Sequence, residues 1–492
     1  MYAQVTETYA AVVFLLGEHA YKLKKPVCLD YGTPLARRAA CHREVELNRR
    51  LAPDVYEGVA DVHGPDGAVR DHLVVMRRMP PERRLATLVH LGKPVEEPLR
   101  EIARRVAGLH AKSGHGPEID REGGPQALRA RWSAGFAQVR GLPGAAIEPG
   151  ALEEIEQHVR DFLHGRHSLF QARIAAGRIV DGHGDLLAED IFCLDDGPRI
   201  LDCLEFDERL RFVDGVDDAA FLAMDLERLG APRLAELFLH WYVEFSGDPA
   251  PTALWHHYVA YRAFVRAKAA CLRHRQGDAD AGWQARRLAE LSLHHLRAGT
   301  VTVVLTGGPP GSGKSMLGGT LADRLGYTLL GSDRIRRELA GLDPKQPAST
   351  PCPPEIHTPE HTDRTYAELL SRAERLLGHG ESVVLDASWA DQRHRAAAEA
   401  MAARTFSRLV GLRCTVIPQA AAERPAAREP GLSDADESVA AAMTAAMAPW
   451  PGVTEIDTGE SPGKALPCAL AAVHPPHLDV SWRFRRPQPA SD

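Results

Sequence analysis

Two groups of residues in this 492-residue chain have the types and spacing needed to move a phosphoryl group. The first is Gly308-Pro309-Pro310-Gly311-Ser312-Gly313-Lys314-Ser315, which fills every fixed position of G-x-x-x-x-G-K-[ST]. Glycines let backbone N–H groups turn inward around a phosphate, and the N-terminus of a following helix adds positive potential. Lys314 would reach the β- and γ-phosphates of ATP, and Ser315 would hold Mg²⁺. Downstream, Asp386 can orient Mg²⁺ or its water. Asp333 can take the proton of an acceptor hydroxyl, and Arg336 can pair with an anionic group or position the acceptor. Asp333 also suits the N-cap of the helix after it, and both roles can hold at once.

The second group is His183-Gly184-Asp185, with Asp190 five residues beyond Asp185, and Asp202 after Ile200-Leu201. A kinase site needs one carboxylate to receive the hydroxyl proton and two oxygen ligands for Mg²⁺. Asp185 supplies the first, and Asp190 and Asp202 supply the others. Upstream, Lys22 and Lys24 can grip the α/β-phosphates, with Glu44 or Glu46 as a partner. Alternation along a strand puts both lysines on one face, so which of them does this stays open. His183 reads as a hydrogen-bonding residue of the loop and not as the base.

Elements must bring these residues together. The β-branched run Thr300 to Thr306 reads as the strand before the glycine loop, and Met316 to Leu325 as the helix after it. Tyr327 to Leu330 and Ser382 to Leu385 read as strands ending near Asp333 and Asp386. Strands alternating with helices imply a parallel α/β sheet, with ligands at its carboxyl edge. In the other half, Val12 to Leu16 and Ala20 to Lys24 read as a β-hairpin, and Pro34 to Leu51 as a helix. Residues from about Ser113 to Gly150 read as loop, being rich in Gly and Pro. Asp217 to about Leu296 reads as mostly helical, with its aromatics in the core. The expected division is 1–298, 299–473 and a Pro-rich tail over 474–492.

Composition narrows the class. The hydrophobic fraction of 44% and charged fraction of 25% are ordinary for a globular protein. A net charge of −7 gives no broad footprint for nucleic acid. The eight cysteines contain no C-x-x-C pair, which fits reduced thiols rather than a zinc site. The first residues lack a charged segment ahead of an apolar run, and no run is long enough to span a bilayer. The expectation is a cytoplasmic protein without a membrane partner. His357 and His361 are spaced as metal ligands, but Pro359 between them argues against the helix such a pair needs.

Together the glycine loop, S-D-x-x-R at Ser332 to Arg336 and V-L-D-A-S at Val384 to Ser388 resemble the P-loop small-molecule kinases. That group includes zeta-toxin-like kinases, gluconate kinase, chloramphenicol phosphotransferase and polynucleotide kinases. The resemblance covers about residues 300–460. It implies that Asp333 is the base and that lid arginines, here Arg424 and Arg428, contact phosphates. Arg393 and Arg395 are weaker candidates.

The earlier motifs resemble the aminoglycoside phosphotransferase-like branch of the protein-kinase fold, over about residues 10–290. One uncharacterised subgroup of that branch is fused to a P-loop kinase-like domain in the same way. The resemblance implies a bilobal N-terminal fold and aligns Lys24 with Glu44 slightly better than Lys22. Two departures stand out. Asp190 occupies a position where the family has Asn, and no G-x-G-x-x-G loop covers the phosphates. The expectation is an ATP- and Mg²⁺-dependent phosphotransferase with two sites, acting on a sugar, an aminoglycoside or a nucleoside-like molecule. The alternatives are an ATP-hydrolysing regulatory switch and a nucleic-acid end kinase, the latter disfavoured by the acidic balance.

Overall fold

The computed structural model describes residues 4–7, 10–26, 31–144, 146–343, 356, 358–415, 448–459 and 462–473. The chain forms two compact units. One draws on residues 1–152, 170–250 and 258–293, the other on 153–169, 251–257 and 294–492.

In the first unit, β1 (Gln4–Glu7), β2 (Ala11–Leu16), β3 (His19–Lys24), β4 (Tyr56–His63) and β5 (Val69–Arg77) form an antiparallel sheet in the order β1-β2-β3-β5-β4. The β2–β3 turn carries Gly17 at φ 59°, a left-handed conformation that glycine adopts without strain. One helix, α1 (Pro34–Asn48), lies on β4 and β5 through Cys41, Val45, Val55, Tyr56, Val74 and Met76. Its start follows from local chemistry: Thr33 accepts from the Ala36 amide, and Pro34 has the fixed φ the first turn wants.

The rest of this unit is largely helical. It continues through α2 (Leu85–His90), α3 (Glu96–Lys112), α4 (Pro117–Glu122) and α5 (Pro125–Arg140). The chain then runs through α6 (Pro149–Gly165), which lies mostly in the second unit, and α7 (His167–Ala175), most of which returns to the first. Short strands follow. They are β6 (Ile179–Asp181), paired with β9 (Phe212–Asp214), and β7 (Ile191–Leu194), paired with β8 (Gly197–Ile200). Then come α8 (Gly215–Arg228), α9 (Pro232–Ser246), α10 (Thr252–Arg275) and α11 (Ala279–Ala298). A small sheet with one helix, joined to a helical part that carries short antiparallel ribbons, is the bilobal protein-kinase-like plan. The loop expected over 113–150 is replaced by two helices. Pro125 sits at the first turn of α5, where proline is tolerated. Gly135 gives room for Phe264, whose ring a Cβ there would meet at 3.0 Å. The Trp132, Phe136, Tyr261 and Phe264 rings then pack at centroid separations of 4.9–5.5 Å. Tertiary packing thus overrides a weak local signal.

The second unit holds a five-stranded parallel sheet in the order β11-β12-β10-β13-β14. Along the chain these elements are β10 (Thr302–Gly307), α12 (Lys314–Leu325), β11 (Thr328–Gly331), α13 (Ser332–Leu339), α14 (Pro359–Gly378), β12 (Val383–Asp386), α15 (Gln392–Arg404), β13 (Arg408–Thr415), β14 (Thr454–Asp457) and α16 (Pro462–Val473). All six residues of β10 are buried, as a central strand covered on both faces requires. Val304, Leu317, Leu321, Val384, Leu412, Ile456 and Ala469 form the core on the α12 and α16 side. Each of the larger aliphatic side chains contributes about 1.5–3 kcal/mol by leaving water. Among the described residues no helix is long and apolar enough to cross a membrane.

Candidate active sites

In the second unit, strand register assembles the site. Thr306 at the end of β10 and Gly331 at the end of β11 both lie beside Asp386, the last residue of β12. Adjacent strands are about 4.8 Å apart, so the glycine loop, Asp386 and the start of α13 share one edge of the sheet. Gly308, at φ 145°, admits only glycine: a Cβ would come within 2.8 Å of the Cys414 carbonyl. Gly313, at φ 78°, precedes Lys314, the first helical residue of α12. Its position leaves the first-turn amides of α12 facing the loop. Among the described residues no hydrogen bond or ion pair engages the Lys314 ammonium.

Asp386 and Ser315 fit a Mg²⁺ site. Burial raises the Asp386 carboxyl above its ordinary value, and the nearby Asp333 acts in the same direction. The Ser315 hydroxyl and Lys314 oppose the shift. Asp386 Oδ1 is buried and has no hydrogen-bond partner, an unsatisfied oxygen of the kind a cation completes.

Other residues are placed differently from the sequence expectation. Gly331 holds the N-cap position of α13, and Asp333 lies inside its first turn, so Asp333 does not cap the helix. Arg336 Nη1 donates to the Ile356 carbonyl (2.7 Å) and Thr362 Oγ1 (3.0 Å), committing that nitrogen to bracing α13 against the start of α14. Arg395 is buried, donates to the Trp389 and Pro449 carbonyls, and lies over the Trp450 ring. It is a packing residue and not a lid. Arg393 is exposed and paired with Asp391. Arg424 and Arg428 lie outside the described residues.

Two contributors carry no motif and were not legible. Thr458, just past β14, donates through Oγ1 to the Ser312 carbonyl and to the Thr415 carbonyl (2.9 Å), fastening the loop to the sheet. Trp450 packs on Gly307 and Gly411, where a Cβ would strike its ring at 2.6 and 3.0 Å.

In the first unit, the site is a chain of ion pairs. Lys22 Nζ lies 2.9 Å from Glu44 and 2.6 Å from Asp202. Lys24 Nζ lies 2.6 Å from the other oxygen of Glu44 and also pairs with Glu205, to which Tyr31 donates at 3.0 Å. Both lysines therefore meet the fully buried Glu44, but only Lys22 reaches a metal-ligand candidate. Glu46 points elsewhere and pairs with Arg43. Burial works against the Lys22 charge, yet Asp202 and Glu44 outweigh it and raise its pKa well above the usual value. Lys22 in turn holds the Asp202 carboxyl below its ordinary range. Asp202 sits at φ 63°, a left-handed conformation that costs a non-glycine residue about 1–3 kcal/mol. Its amide donates to the Tyr56 hydroxyl at 3.2 Å, and the next amide, of Cys203, donates to Asn48 Oδ1 at 2.8 Å.

The Asp185 loop is fixed from behind. The buried Asp218 carboxylate accepts from the His183 amide (2.7 Å), the Gly184 amide (2.8 Å) and His110 Nε2 (2.9 Å). His183 Nε2 bonds to the Leu201 carbonyl at 3.1 Å, tying this loop to the segment that carries Asp202. Burial raises the Asp185 carboxyl to about 6, against the pull of Arg266 and with a further push from Asp202. Asp190 is raised well above its ordinary value by burial and by the like charges of Asp202 and Asp185. Among the described residues no three His, Cys, Asp or Glu side chains converge to hold a metal by themselves.

The fold defines a chain that joins a protein-kinase-like unit to a P-loop kinase-like unit. Residues 303–450 match the model of a family described as an AAA domain. Over 462 residues the chain is 42% identical to the uncharacterized protein Rv2004c of Mycobacterium tuberculosis, covering 93% of this chain and 92% of that one. It belongs to the same family as that mycobacterial protein. Among solved structures it is similar to a choline/ethanolamine kinase family protein from Mesorhizobium loti. That match has 15% identity and a TM-score of 0.38, over 60% of this chain and 92% of the other. It is also similar to a gluconokinase from Sinorhizobium meliloti 1021, with 19% identity and a TM-score of 0.26, over 35% of this chain and 91% of the other.

Proposed function

We propose that the protein is an ATP- and Mg²⁺-dependent phosphotransferase with two nucleotide sites, each moving the γ-phosphoryl group to a hydroxyl of a small molecule. The observation that carries this reading is the placement of Asp386 between the ends of β10 and β11. In support, Ser315, Lys314 and Asp333 all act on the Asp386 carboxyl, one oxygen of which is buried and unsatisfied. In that site the loop amides and Lys314 hold the phosphates, and Ser315 and Asp386 hold Mg²⁺. In the other, Lys22 grips the phosphates, and Asp190 and Asp202 hold the metal. The step is the same in both. The acceptor O–H gives its proton to Asp333 or Asp185, its oxygen bonds to the γ-phosphorus, and the bond from that phosphorus to the bridging oxygen breaks to release ADP.

Phosphorus NMR of ATP turnover over a panel of sugars, sugar acids, aminoglycosides and nucleosides tests the reading. A new phosphomonoester lost in Lys314→Ala or in Asp185→Asn is the expected result and assigns the product to a unit. Inorganic phosphate alone, unaffected by the panel, would overturn it in favour of an ATP-hydrolysing switch.

A further inference from the structure

The charge around Asp185 is mixed: Asp190 and Asp202 add like charge, and Arg262 and Arg266 of α10 add opposite charge. Arg262 on α10 is 5% exposed and donates from Nε to Asp217 (2.6 Å) and from Nη1 to the Gly184 carbonyl (3.3 Å). Those two contacts fix one face of α10 against the loop that carries Asp185. Arg266 follows on the same face one turn later, about 6 Å along the axis. It is half-buried, and among the described residues no hydrogen bond or ion pair engages its guanidinium.

Apart from Asp190, which the proposed reading gives to the metal, the nearby acidic groups have partners. Asp217 pairs with Arg262, Asp218 takes the loop amides and His110, and Asp225 accepts from Arg228 (2.7 Å) and the Ala188 amide (3.0 Å). Asp202 is held by Lys22. Of the charges acting on Asp185, Arg266 is the strongest and Asp202 comes next with the opposite sign. The Arg266 guanidinium thus makes no direct ion pair among the described residues and feels Asp185 only through space, which leaves its N–H groups open to an anion. An anion arriving with the substrate can take up those donors in the planar fork geometry that suits a carboxylate or phosphate.

We infer that the acceptor of the first unit is a hydroxyl compound bearing an anionic group, a carboxylate or a phosphate, and that Arg266 binds that group while Asp185 faces the hydroxyl. The inference rests on the phosphotransferase reading of this unit. An ammonium-rich acceptor would bring its charge against Arg266 and is disfavoured.

Matched acceptor pairs test this in the full chain: glucose against gluconate for the carboxylate, and glucose against glucose 6-phosphate for the phosphate. Asp185-dependent product formation is measured for wild type, Arg266→Gln and Arg266→Lys. The expected result is a preference of tenfold or more in kcat/KM for one anionic member, carried by KM. Arg266→Gln would abolish the preference and Arg266→Lys would partly restore it. A residue that only tunes Asp185 would instead move the acidic limb of the pH profile upward for every acceptor, with no change in preference, and that outcome overturns the inference. So does an Asp185-dependent product from neutral or cationic acceptors alone, which leaves the phosphotransferase reading standing. If no acceptor gives an Asp185-dependent product, the phosphotransferase reading fails. Binding then decides the inference: inorganic phosphate, titrated into Lys314→Ala protein to weaken the glycine-loop site, must bind at least threefold more weakly when Arg266→Gln is added. Equal binding overturns it.

Discussion

Lys22 in the first unit already lies between two carboxylates, Glu44 and Asp202, and a second lysine shares Glu44. Lys314 in the second unit starts a helix behind a loop whose backbone shape depends on glycines and on Thr458. On the proposed reading, the first arrangement would recognise phosphate with side chains drawn from β3, α1 and the segment after β8, all of which must be in place together. The second would do so with backbone amides of a glycine loop set by local conformation. Charge changes should therefore damage the first site most, and added Cβ atoms the second.

The largest expected effects separate the two bases. Asp185→Asn and Asp333→Asn should each lower their own product by about 10²–10⁴-fold and leave the other unchanged, read by phosphorus NMR. Loss of both products in either variant would break the comparison. Next, Gly308→Ala should drive the loop away from the Cys414 carbonyl and reduce turnover of the second unit by about 10²–10³-fold, the scale of losing an aligned donor. Gly17→Ala meets open space and costs only about 1 kcal/mol of turn strain, so turnover of the first unit should persist.

Glu44→Gln should destabilise the first unit by about 1.5–3 kcal/mol, because Lys24 and Lys22 lose a shared counter-ion while each keeps another carboxylate. Thermal unfolding followed by circular dichroism, with Glu46→Gln as the exposed control, checks this. The pH dependence is smaller but has a definite sign. Asp185 must be ionised to accept a proton, and its pKa is raised to about 6. The kcat/KM of the Asp185-dependent reaction should therefore fall about tenfold per unit below pH 6 and level off above it. Smallest is Asp190→Asn, which keeps an oxygen ligand and removes one of three crowded negative charges. A change in Mg²⁺ requirement within about tenfold is expected from a titration of rate against Mg²⁺.

The fold was legible where the residues themselves dictate it. The run Thr302 to Gly307 is apolar and β-branched, and the glycine loop and helix after it follow local rules. The α5 helix was not legible, because its case rests on Phe264, more than a hundred residues away, filling the space at Gly135. The choice between Lys22 and Lys24 shows another limit. Alternation places both on one face, but which of them meets Asp202 depends on the path of the chain after β8, and no local spacing encodes that path. Arg336 reads as a free cation in S-D-x-x-R, yet its Nη1 is committed to a carbonyl and a hydroxyl. Thr458 has no motif around it, since its role is to be where the loop already is.

The seat of Trp450 on Gly307 and Gly411 makes the second unit optically self-reporting. An indole packed on the residue just before the glycine loop, with the Arg395 guanidinium over it, should change its emission if ATP binds in that loop as proposed. Subtracting the Trp450→Phe spectrum isolates this signal from the other six tryptophans of the seven in the chain. Nucleotide binding to the second unit could then be followed in real time without a label, separately from any activity of the first.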